Sequence, residues 1–176
     1  MLRFDTARLL IRPFQLDDAA FILTLLNDPD WLRFIGDKKV HSLGDAEAYL
    51  RNGPLQMYGR HGLGLCAVAL HRDERVIGMC GLIRRDGLDD VDLGFAFLPA
   101  FRGQGFAAEA AAATLADGFA SHGLRRIVAI TDPANVASAS VLTRIGMRFE
   151  RCIPFGTGEV AVYAALAPGP PLSDRA

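Results

Sequence analysis

Between residues 91 and 121 the chain changes its hydrophobic period abruptly. Val91, Leu93, Phe95 and Phe97 alternate with Asp92, Gly94 and Ala96, the two-residue period of a strand. Arg102-Gly-Gln-Gly-Phe-Ala107 then makes a glycine-rich turn, and a proline-free, Ala-rich run from Ala107 to Ser121 reads as a helix closed by His122-Gly123. Ile127 to Thr131 follows as a short apolar strand. A strand, helix, strand crossover within one sheet is parallel and right-handed, so both strands end on one edge, where open α/β sheets bind ligands.

The remaining segments fit around that unit. Leu9-Leu-Ile11 predicts a strand ending at Arg12-Pro13, where Pro removes a donor, and Asp17 precedes a helical pattern at Ala20, Leu23 and Leu26. Trp31 to Phe34 is apolar without a clear period. A second helix starts near Ser42, whose hydroxyl caps it ahead of Asp45 and Glu47, and ends by Gly53-Pro54. Gly64 to Leu70 and Val76 to Ile83 are antiparallel strands around the polar loop His71 to Arg75. Ser138 to Ile145 is a short helix ended by Gly146, and Phe149 to Pro154 and Val160 to Leu166 close as a hairpin around Gly156-Thr-Gly158. The predicted order is β-α-α-β-β-β-α-β-α-β-β, an α/β (α+β) fold with a mixed central sheet of about seven strands. Residues 1–167 are expected as a single domain. Residues 168–176, beginning Pro168-Gly-Pro-Pro-Leu172, are expected as a loosely ordered tail.

Charge narrows the partners. Lys and Arg total 19 against 20 Asp and Glu, and a net charge of -1 supplies no overall field for gripping nucleic acid. Cys66, Cys80 and Cys152 are widely spaced, form no CxxC or Cys/His cluster, and are expected as buried reduced thiols with no metal. Met1 leads into Leu2-Arg-Phe-Asp5 without an apolar signal stretch, and no later run approaches a bilayer's thickness, so a cytoplasmic protein without a membrane partner is expected.

Two segments carry candidate chemistry. Gly103 and Gly105 permit backbone conformations that aim several N–H groups at an anion, and the helix N-terminus adds partial positive charge. A pyrophosphate suits such a nest, and so does a plain strand-to-helix turn. Asn135-Val-Ala-Ser138, two residues beyond Asp132-Pro133, leads into Val141-Leu-Thr-Arg-Ile-Gly-Met147 and falls opposite the glycine turn if the two strands are parallel. Asn135 also reads as a turn or capping residue and Ser138 as a helix-start residue.

Thr6-Ala-Arg-Leu-Leu-Ile-Arg-Pro13, the Gly94 to Ala110 segment with its glycine turn and Glu109, and the Asn135 to Met147 block, in that order and spacing, resemble the GNAT superfamily of N-acetyltransferases. The resemblance is to the branch of ribosomal-protein N-terminal (alanine/serine) acetyltransferases and related small-molecule enzymes, and it covers nearly the whole chain. It implies acetyl-CoA as co-substrate and a protein N-terminus or small-molecule amine as acceptor. It places pyrophosphate on the backbone of Arg102, Gly103, Gln104, Gly105, Phe106 and Ala107. The pantetheine arm falls along a splayed strand at Phe97 and Leu98 and beside Asn135, and a cofactor phosphate near Arg144, which also reads as a solvated helix-face residue.

Asp92 matches a strand position that often carries a Glu base in relatives, acting here through water, and it equally reads as the solvent-facing member of its strand. The Tyr many relatives place after the Asn is absent, which leaves Ser138 as candidate acid or thiolate anchor. Phe14, Trp31, Phe34 and Tyr58 are candidate aromatic walls for the acceptor, or core. Asp86, Asp89 and Asp90 are turn residues that also suit a cationic acceptor. A longer acyl-CoA, and a non-catalytic acetyl-CoA-binding scaffold, stay as alternatives. A nucleotide module is disfavoured because no Walker Lys follows the turn. The closing hairpin offers an edge for a homodimer.

Overall fold

A computed structural model describes residues 3–169. The tail expected over residues 168–176 lies outside the described residues from position 170 onward. One sheet of eight strands runs in the order β1 (Phe4–Asp5), β2 (Leu9–Pro13), β3 (Leu65–Leu70), β4 (Val76–Ile83), β5 (Val91–Phe97), β6 (Arg126–Thr131), β8 (Gly158–Leu166), β7 (Arg148–Phe155). The mixed α/β class is as the sequence predicts. The extra strand is the two-residue β1, too short to show a period of its own.

The sheet is antiparallel from β1 to β5 and again from β6 through β8 to β7, with one parallel junction between β5 and β6. That junction is brief. Only Val91↔Ile127 and Asp92↔Val128 pair, and the rest of β5 diverges from β6. The sheet is therefore split from its middle toward the ends of these two strands.

Helices cover both faces. α1 (Ala19–Leu26), α2 (Pro29–Phe34) and α3 (Leu43–Leu50) put Ile22, Leu25, Trp31 and Leu50 against Phe14, Ala67 and Met79. α5 (Phe106–Ala120) puts Phe106, Ala110, Ala111 and Leu115 against Val68, Cys80, Leu82 and Leu93 on the other face, because neighbouring strand residues point to opposite sides.

Two helical predictions change. Trp31 to Phe34 is α2, started by the Asp28 carboxylate accepting from the Asp30 and Trp31 N–H groups and by Pro29 at its first position. Gly53-Pro54 does not end the third helix. Arg51–Leu55 forms a π-helical turn with Pro54 buried inside it, and the helix runs on as α4 (Gln56–His61). Pro lacks an N–H and crowds the carbonyl four residues back, and a wider turn relieves both problems. Ser42 caps α3 as predicted, accepting from Asp45 N.

Burial corrects the cysteines. Cys66 and Cys80 face each other across β3 and β4 inside the core, whereas Cys152 is exposed on the edge strand β7. Apolar neighbours in sequence do not bury a residue on an edge strand whose residues are mostly exposed. Among the described residues no helix is long and apolar enough to cross a membrane.

Candidate active site

The split between β5 and β6 opens into a cleft of about 680 Å³. One wall is the glycine turn and the start of α5, facing it is the start of α6 (Val136–Arg144), and α2 closes the far side.

Gly103 and Gly105 take φ of +72° and +82°, left-handed values that a side chain disfavours, and Gly105 is the N-cap of α5. No side chain caps this helix, and its first intrahelical bond is Glu109 N to Gly105 O. The N–H groups of Phe106, Ala107 and Ala108 thus lack helical acceptors at the positive end of a 15-residue helix. A β-carbon at Gly103 would meet nothing within 4 Å, so the turn borders open space.

Side chains fix the turn from behind. Arg8 donates to Gln104 O at 3.0 Å and to Glu109 at 2.7 Å, and its guanidinium lies 4.3 Å from the Phe106 ring centroid. Thr6 also donates to Glu109, at 2.6 Å. Arg102 turns away from the nest. Its Nε donates to Phe97 O at 2.8 Å, and its two terminal nitrogens reach Asp28 at 2.6 Å and Asp30 at 2.5 Å, tying the turn to α2.

On the facing wall Asn135 is the N-cap of α6, accepting from Ser138 N at 3.0 Å. Ser138 is half-buried in the cleft lining, and its hydroxyl makes no hydrogen bond among the described residues. Arg144 is exposed at the cleft's edge. The strand between the walls divides its roles. Leu98 N donates to Ile77 O and so is committed toward β4. By strand alternation the backbone groups of Phe95 and Phe97 face the gap, with Phe97 O already taken by Arg102.

Asp92 sits at the closed end of the split, outside the cleft lining. It is not the solvent-facing member of its strand, because the sheet is covered here and the residue is 1% exposed. One carboxylate oxygen pairs with Arg85 at 2.5 Å, and the other accepts from Ile130 N at 3.1 Å. Burial pushes its carboxyl above the ordinary range, while the Arg85 guanidinium pulls it back. Trp31 and Phe34 line the cleft; Phe14 and Tyr58 do not. Phe14 is core, and its N–H donates to the Tyr58 hydroxyl, which itself donates to Leu65 O. Burial raises that phenol well above its usual value.

Sequence reasoning misses Asp28 and Asp30, although Asp28-Pro29 carried a helix-start signal, and it misses Leu25, Ile35 and Val136, whose roles depend on distant chain segments meeting.

The split sheet and the uncapped start of α5 together make a cleft with an anion-accepting end. The chain belongs to the GNAT acetyltransferases: the family model "Acetyltransferase (GNAT) domain" matches residues 8–148. It is 30% identical over 159 residues to an N-acetyltransferase of uncharacterised role, YnaD of Bacillus subtilis (strain 168), covering 88% of this chain and 90% of that one. It is similar to a GNAT-family acetyltransferase structure from Bacillus anthracis, with TM-score 0.78, 28% identity, and 94% and 98% of the two chains covered. RimL, a ribosomal L7/L12 α-N-protein acetyltransferase solved with coenzyme A, shares the fold at TM-score 0.70 and 16% identity, over 92% and 95% of the chains.

Proposed function

We propose that the protein transfers an acetyl group from acetyl-CoA to a primary amine by direct attack in a ternary complex. The observation that carries this reading is the pairing of an uncapped α5 N-terminus behind two left-handed glycines with the Asn135–Ser138 start of α6, across a split in the sheet. Family membership, and coenzyme A bound to the structural relative RimL, support it.

The cleft suits the co-substrate. Free N–H groups at 106–108 and open space at Gly103 accept a pyrophosphate, and the exposed Arg144 guanidinium stands near enough to the mouth to meet a phosphate. The gap-facing backbone of Phe95 and Phe97 accompanies the pantetheine arm, and the Asn135 amide nitrogen, left over from capping, serves the same arm. When bound, acetyl-CoA supplies the electrophilic acyl carbon. The acceptor's nitrogen lone pair forms the C–N bond, the C–S bond breaks with its electron pair on sulfur, and the displaced N–H proton ends on that sulfur. The Ser138 hydroxyl, in the cleft lining and without a hydrogen bond among the described residues, is the candidate donor to the thiolate. Asp92 is the candidate base only through water, because both its oxygens are engaged outside the cleft. Its geometry also supports a second role: a side-chain acceptor for Ile130 N takes the place of a ladder bond and holds the split open.

Calorimetry of acetyl-CoA binding tests the reading, with Gly103→Glu as the variant because its side chain enters open space beside the nest. Wild type is expected to bind and a folded Gly103→Glu protein to lose binding by at least tenfold. Equal binding by both would remove the nest from the function.

A further inference from the structure

The acceptor half of the cleft has a composition that selects among amines. We propose that the acceptor is an α-amino amide carrying one amine and a large aromatic or aliphatic side chain, and not a polyamine or aminoglycoside. This rests on the acetyltransferase reading above and names its acceptor.

The two halves are separable by the faces of the sheet. α5 packs on one face of the sheet, and α1 and α2 on the other, so the cleft wall on the face opposite α5 belongs to α1 and α2. That wall is Leu25, Trp31, Phe34 and Ile35. Apolar character continues to the mouth, where Ile35 is 46% exposed and Val136 on the α6 side 75% exposed. Arg33 lies 4.8 Å from the Phe34 ring centroid and holds that ring from outside.

Polycation binding needs carboxylates with charge to spare. Among the described residues lining the cleft the acid is Asp30, which shares the one Arg102 guanidinium with Asp28, at 2.5 and 2.6 Å. The cluster therefore keeps a single negative charge, enough for one ammonium and not for the several of a polyamine or aminoglycoside. The other charges on the lining are Arg102 and Arg144, both positive. The acidic turn at Asp86, Asp89 and Asp90 does not reach the cleft lining, and Asp90 is paired with Arg126. A second ammonium would be desolvated against apolar walls without compensation.

A second observation points to a carbonyl. Trp31 Nε1 is buried with no hydrogen-bond partner, the sole such side-chain atom among the described residues, and Trp31 belongs to this wall. Buried indole N–H groups ordinarily find an acceptor. An amide oxygen one carbon from the reacting amine supplies one when the acceptor seats and the indole adjusts to it.

The experiment measures kcat/KM by coenzyme A release for phenylalaninamide, phenethylamine, glycinamide, spermidine, an aminoglycoside and a tripeptide beginning with Phe, on protein whose acetyl-CoA binding is verified by calorimetry. Phenylalaninamide or the Phe tripeptide is expected to exceed glycinamide and spermidine by at least tenfold, and whichever of the two leads tells a free amine from a protein N-terminus as source. Trp31→Phe is expected to erase the advantage of phenylalaninamide over phenethylamine while leaving acetyl-CoA affinity unchanged. Ile35→Glu, a change at an exposed position, is expected to shift preference toward spermidine by about tenfold or more. Equal or faster turnover of spermidine or glycinamide by wild type, with acetyl-CoA still bound, overturns the acceptor inference and leaves the cofactor reading standing. Absence of acetyl-CoA binding overturns both.

Discussion

Asp92 shows how one residue's burial changes what its chemistry can be. An Asn in its place keeps an acceptor for Ile130 N–H and loses the charge, whereas an Ala orphans a partly buried N–H, at a cost of at most about 1–3 kcal/mol. Because its oxygens are committed outside the cleft, Asp92→Asn is expected to retain kcat within about tenfold, and Asp92→Ala to lower the urea midpoint. A fall of about 10² or more in Asp92→Asn, with loss of the acid limb of the pH–rate profile, would instead mark it as the base. The cysteines separate by the same criterion. Burial pushes the Cys66 and Cys80 thiols up to about 12, and Cys152 is exposed. A thiol reagent at pH 8 is expected to label one cysteine per native chain quickly and all three after unfolding.

At the scale of elements, the site depends on how helix starts are anchored. Removing the α6 cap by Asn135→Ala is expected to cost about 0.5–2 kcal/mol by denaturant melt and, if the proposed contact with the pantetheine arm is made, to weaken acetyl-CoA binding as well. The α5 start is tied to the β1–β2 connection through Glu109. Burial raises the Glu109 carboxyl, but hydrogen bonds from Thr6 and Arg8 lower it further, and the net direction is down. A carboxyl held lower in the fold than in the unfolded chain adds stability above the unfolded value of about 4.3 and loses it as pH falls through the folded one. Glu109→Gln is therefore expected to flatten the acid side of the stability curve below about pH 5. Since Arg8 is half exposed, the loss at pH 7 is on the order of 1 kcal/mol or less.

At the scale of the whole molecule, the split sheet is a cleft before anything enters it. A ligand that binds only the folded state adds about 2.7 kcal/mol at 100 times its Kd, and in a chain of this size each kcal/mol raises Tm by about 2–4 °C. Acetyl-CoA at that concentration is expected to raise Tm by roughly 5–11 °C by scanning fluorimetry, and Gly103→Glu to abolish the shift. On the far side the sheet ends at β7, an edge strand whose residues are mostly exposed and whose Pro154 interrupts the row of edge donors.

The fold class, the crossover from β5 through α5 to β6, and the glycine turn were legible because they rest on local physics: a period of two, a run of helix formers, and glycines where the backbone must turn left-handed. Opposed positions of Arg102–Ala107 and Asn135–Ser138 followed from the handedness of a single crossover. Tertiary structure alone decided the rest. Asp92 and Tyr58 left the cleft for core hydrogen bonds, Trp31 and Phe34 entered it, and Asp28 and Asp30 were spent on Arg102. Those outcomes are contacts between segments from 7 to 74 positions apart, and no local period or propensity carries information about which of two apolar faces, or which of two ion partners, a side chain will meet.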